Sequence, residues 1–292
     1  MVAPTRAAIL ERERRFAPVA AACALLAPVL IIGSLIGAGR LDLPASGVAT
    51  EQLRAFDANE GALLVVVIVR SLGYLLLIPP MIHLYQATRA RRPELPGAML
   101  GFAIIGPVLF AIQTMLGYFS QAEIASDFVA RYAAGGDIYS LLDDLTDDSS
   151  IATAASSLIL PAILGLGVAM IYYPLQAMRA GLLTRFFATL GMALGAATVL
   201  FATLTLLPDT LWFAWLGLIF IGRTPQPRPP AWDAAEAIPW PRPGEEPQKP
   251  AAAPAGAVEG DATEILAGDA ADESDHSARR ERARKRKRKR RR

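Results

Sequence analysis

Arg70 is the residue of this chain whose type and position most invite chemistry. It interrupts the apolar run of residues 61–80. A guanidinium stays protonated, and its five donors need acceptors. If that run crosses a bilayer as a helix, Arg70 lies roughly 12 Å below the outer surface, at a 1.5 Å rise per residue. A charge at that depth costs about 2.5–3.5 kcal/mol on insertion scales and by default marks a functional site with a partner. Asp209 is the first candidate partner. A last helix over 209–222 would be only about 20 Å long. It would hold Asp209 about 9–10 Å below the outer surface of a core roughly 30 Å thick. There Asp209 would also cap the helix, where the dipole favours an anion. Gln113 or Glu123 of the third apolar segment is the alternative partner. In the plainer reading Arg70 snorkels to the interface and Asp209 only caps. A pair would act as a structural lock or as the polar site of a small-molecule or ion transporter.

The remaining chemistry is sparse. Pro79 and Pro80 remove backbone donors and predict a helix kink. His83 follows one turn later and reads as an interfacial polar residue. Cys23 is the single cysteine, and His83 and His276 lie in different segments, so no metal site is expected. The acidic run Asp143, Asp144, Asp147 and Asp148 lacks the calcium-loop spacing and its glycine and reads as a solvated face. No metalloprotease motif, Walker loop or nucleophile elbow occurs, so no catalytic residue and no cofactor is assigned.

The elements that would position these residues are membrane helices. The hydrophobic fraction is 53%, and the mean hydropathy is +0.35 despite a polar C-terminal quarter. That composition belongs to the membrane class. Spans need about 20 apolar residues, and their backbones must be paired internally. An all-α polytopic bundle of about six spans follows, at 16–38, 62–86, 97–119, 152–178, 186–207 and 209–222. The basic stretch 6–15 precedes the first span and does not make it a cleaved signal, because the apolar run is too long. Arginines favour one side, eleven against three, on which lie Arg12, Arg91, Arg179 and Arg228. The positive-inside bias therefore predicts both termini in the cytoplasm.

The two larger outer loops predict short helices. One runs over 50–59. The other is capped by Asp137, with Ile138, Leu141, Leu142 and Leu145 on one face, and is expected to lie flat on the outer surface. Gly33/Gly37, Gly97/Gly101 and Gly191/Gly195 are spaced for close helix packing. Residues 86–90 and 176–180 match at an offset of 90, which suggests a repeated hairpin.

Three domains result: a basic N-terminus (1–15), the helical domain (16–223) and a tail (224–292) expected to be disordered. The tail is acidic and Pro-rich, then basic; twelve of its last fourteen residues are Lys or Arg. The run Arg284, Lys285, Arg286, Lys287, Arg288, Lys289, Arg290, Arg291 and Arg292 suits anionic headgroups or an acidic cytoplasmic partner. Nucleic acid would bind it without base readout, because no aromatics are interleaved. The matching segments 84–103 and 175–193, the six-span plan and the basic tail together resemble uncharacterised multi-pass membrane proteins of actinobacteria. That resemblance covers roughly 1–223 and implies a bacterial cytoplasmic membrane protein, but no activity. The expectation is a non-enzymatic membrane protein with a binding tail.

Overall fold

The computed structural model describes residues 5–41, 49–132 and 138–240. These fall in the first of two units, Met1–Pro247; the second is Gln248–Arg292. The described residues form helices α1 (Arg6–Gly39), α2 (Ala49–Ala58), α3 (Glu60–Leu75), α4 (Ile78–Arg91), α5 (Met99–Tyr132), α6 (Ile138–Asp148), α7 (Ser150–Arg179), α8 (Arg185–Phe220) and α9 (Ala231–Ala234), and no strand.

Among the described residues, four segments are long and apolar enough to cross a membrane: Arg6–Gly39, Glu60–Arg91, Met99–Arg131 and Ser150–Arg179. Phe186, Leu200 and Leu204 stand more than 70% exposed, an apolar surface suited to hydrocarbon. This is a membrane-embedded helical protein. The remaining apolar length differs from the expected spans 186–207 and 209–222. It is a helical hairpin with arms Arg185–Phe201 and Leu204–Phe220. In a straight helix Phe187 and Trp212 would stand about 37 Å apart. Instead their rings stack at 5.0 Å, and the Trp212 indole donates to the Phe187 carbonyl at 3.1 Å. The reversal falls at Phe201, whose backbone is non-helical (φ −143°, ψ 50°). Each 17-residue arm is about 25 Å long. Asp209 is thus not the cap of a short final helix. It sits more than a turn inside the second arm, because Leu204–Leu207 join that arm.

The interruption in the second apolar segment falls at Leu76–Leu77. Pro79 and Pro80 occupy the first turn of α4, where their missing donors cost nothing. The bundle core lies among α1, α3, α4, α5, α7 and α8. Of the expected GxxxG pairs, Gly191/Gly195 lies at close approaches: a Cβ on Gly195 would lie 2.9 Å from the Gly167 carbonyl oxygen of α7, and one on Gly191 2.8 Å from the Trp212 ring. A further close crossing comes from glycines outside those pairs. A Cβ on Gly106 of α5 would lie 2.6 Å from the Leu166 nitrogen of α7. By contrast, a Cβ on Gly33 would meet nothing within 4 Å.

A second, smaller core caps one end. Leu53 of α2, Leu145 of α6 and Ile124, Ala125 and Phe128 of α5 are buried together, with Leu141 and Leu142 packed on them. The apolar face of α6 therefore covers α5 rather than lying flat on a membrane: the 34-residue α5 is longer than a bilayer and offers a protein surface there. Asp137 lies outside the described residues. We call this the capped end, and the end holding the start of α1 the open end.

Candidate functional site

At the open end, α1 and the segment at Ala231–Trp232 converge on Arg91 of α4. The last turn of α4 presents its guanidinium, fully buried, to Glu13 of α1. The pair is bidentate, at 2.5 and 3.0 Å. The remaining donors reach the carbonyls of Ala87, Ala231 and Trp232. The guanidinium thus finds enough acceptors to leave water.

Trp232 is the second anchor. It is 1% exposed, and its indole donates to the Leu182 carbonyl at 2.9 Å. Its ring stacks with His83 and meets Phe220 edge-on. Arg228 lies 4.7 Å above the same ring. Burial pulls the Arg228 guanidinium below its ordinary range, while Asp233 and Glu13 oppose the shift. Further along, Ile238 donates its backbone N–H to Ala180, and the Trp240 indole donates to Leu183. Residues 224–240 are therefore a strap folded across the open end. The disorder expected from residue 224 onward does not hold for them. Two tryptophans in a Pro-rich polar stretch were the legible signal; Glu13, an acid within a basic N-terminus, was another. His83 is likewise buried under Trp232 rather than interfacial. The polybasic run Arg284–Arg292 lies outside the described residues.

The open end gathers the start of α1, the α4–α5 loop, the α7–α8 loop and the strap. Arg92, at the end of α4, donates to Gln176 of α7, and Arg185 donates to the Trp240 carbonyl. Arg92 also holds the exposed Glu94 below the usual carboxylate range, mainly through its hydrogen bond.

The second site lies within the bundle. Arg70 does not meet Asp209. Its Nε donates to the Ser34 hydroxyl of α1 at 3.1 Å, and Ser34 in turn donates to the Ile31 carbonyl. The alternative partners are elsewhere: Glu123 accepts from Ser149 at the capped end, and the Gln113 amide lies beside Gly117. Asp209 is 7% exposed. Its Oδ2 accepts from Thr198 of the opposite arm at 2.8 Å, and Thr198 meets Thr205 at 3.1 Å. The hairpin reversal makes this cluster, since it brings positions 11 residues apart face to face. The expected depth match put Asp209 and Arg70 in the same region, but one-dimensional depth carries no information about which helix face each residue takes.

Asp209, Tyr74, Thr198 and Thr210 help line a cavity of about 30 Å³. A larger groove of about 410 Å³ runs along the outside of the hairpin, walled by Phe186, Leu190, Leu211 and Trp215. It is apolar and opens where lipid chains would lie. At the capped end Glu123, Asp127 and Asp148 surround a gap of about 60 Å³ with Arg131 among them. No cluster of metal-binding side chains occurs among the described residues.

Together the fold and its open-end cluster define an all-α, membrane-embedded helical protein with a strap docked over its open end. Comparison of the chain with family models, with curated proteins and with solved structures returned no match.

Proposed function

We propose that this is a non-enzymatic protein of the bacterial cytoplasmic membrane that presents a charged cytoplasmic tail from a fixed point on the inner face. In this reading the hairpin arms are the fifth and sixth crossings, and the open end faces the cytoplasm. The strap is the observation that carries it. Trp232, Arg91 and Trp240 anchor residues 224–240 beside the start of α1 and the two Arg-bearing loops. The hairpin returns the chain to its starting end whether or not its arms cross completely. The tail therefore leaves on the Arg-rich side, in line with the positive-inside bias. Its final run, Arg284–Arg292, engages anionic headgroups at about 1 kcal/mol per basic residue near the surface, screened by salt.

The transporter alternative near Arg70 has less support. Solute sites occupy about 300–1,000 Å³, whereas the chamber beside Asp209 is about 30 Å³ and Arg70 does not line it; the polar cavity of about 320 Å³ lies at the open end, beside Glu13, Arg14 and Arg228.

A fluorophore placed after Arg292 tests the proposal in nanodiscs. Anionic lipid should draw it to the bilayer, and neutral lipid should not. Replacing 284–292 by Gly and Ser, or raising the salt, should abolish the approach. An unchanged distance in both lipids sinks the tail reading, and a reporter fused after Arg292 that proves extracellular sinks the topology.

A further inference from the structure

We infer that Asp209 is an intramembrane proton-binding site, held as a neutral carboxylic acid above a chamber the size of one water molecule. Three observations converge on it. The first is compensation. Asp209 is more than nine-tenths buried, and no ion pair reaches it among the described residues. Around the chamber α1, α5 and α7 present Ile31, Phe110 and Leu166, all apolar. Tyr74 of α3 is the other ionisable residue that lines the chamber. Arg70 is engaged by Ser34. An ionised carboxylate left this way costs several kcal/mol, and one bound proton removes the charge.

The second observation is the hydrogen-bond inventory. An ionised carboxylate only accepts, and its two oxygens offer about four sites. Here Oδ2 accepts from Thr198, with the Thr205 hydroxyl beside it as a second donor to the carboxyl, and Oδ1 has no partner among the described residues. A carboxylic acid fits the arrangement better: Oδ2 remains the acceptor, and Oδ1–H becomes a donor aimed into the chamber.

The third is size. A water needs roughly 10–15 Å³ of probe volume and several polar neighbours. The chamber offers about 30 Å³, with Thr198, Thr210 and Tyr74 as its hydroxyl-bearing residues. The other lining residues are Ile, Leu and Phe, too few oxygens to replace the shell of a sodium ion.

The test is infrared spectroscopy of the full-length protein reconstituted in lipid at neutral pH. The wild type should show a protonated-carboxyl C=O band that bleaches only on alkalinisation. Asp209→Asn should lose it, and Glu13→Gln, the other buried acid, should keep it. Thr198→Val should shift it, because Oδ2 loses its donor; this arm decides the matter if Asp209→Asn does not fold. Absence of the band in the wild type, its survival in Asp209→Asn, or an unshifted band in Thr198→Val overturns the inference. Bleaching by sodium at constant pH would do the same and would assign a cation site instead.

Discussion

Removing Arg91 should unlatch the strap, and the size of the effect follows from its surroundings. Arg91→Ala strips the bidentate partner from Glu13, whose side chain is 8% exposed, and leaves the carbonyls of Ala87, Ala231 and Trp232 without their donor. Breaking a buried pair from one side costs about 3–5 kcal/mol. The strap is the least extensively packed of the segments meeting there, so the cost should appear as opening of the strap, not loss of the bundle. At about 1.4 kcal/mol per factor of ten, the open population rises roughly a hundredfold or more. Ala231 is 0% exposed and reports this directly. With Cys23 replaced by Ser, an Ala231→Cys variant should resist maleimide in the latched protein. Adding Arg91→Ala should speed labelling by about two orders of magnitude. Glu13→Gln should act in the same direction but less, since Arg91 keeps its carbonyl acceptors. A labelling rate within about threefold of the parent would refute the latch.

Gly106→Ala should destabilise the bundle by about 1–3 kcal/mol, through overpacking against the Leu166 backbone. Gly33→Ala should be nearly neutral, and thermal unfolding in detergent compares the two. A double-mutant cycle of Arg70→Gln with Ser34→Ala should show a coupling of about 0.5–3 kcal/mol. The cycle of Arg70→Gln with Asp209→Asn should couple more weakly; the reverse order would restore the direct pair. Phe128→Ala, at a fully buried position of the smaller core, should cost about 3–5 kcal/mol. Its signature is protease cleavage in α2 or α6 while the bundle remains intact.

The sequence by itself determined that the chain is helical and membrane-embedded, because uninterrupted apolar runs can satisfy their backbones in lipid only as helices. It also located the short helices at the capped end, from amphipathic spacing; the expected cap Thr50 lies inside α2, and Asp137 is outside the described residues. Pairing was decided only in three dimensions. Depth along a span is readable from residue count, but which face a residue presents depends on helix rotation and on where the chain reverses. A reversal at Phe201 rather than between Leu207 and Asp209 turned Asp209 from a helix cap into a partner of Thr198, and left Arg70 to Ser34. The strap was hidden for a similar reason. Composition reads 224–240 as polar and Pro-rich, and average polarity says nothing about two tryptophans and one arginine finding fitted acceptors. Glu13 and Arg91 are 78 residues apart, and neither carries a local signal of the other. Their charges can leave water only because the folded bundle brings five acceptors to one guanidinium.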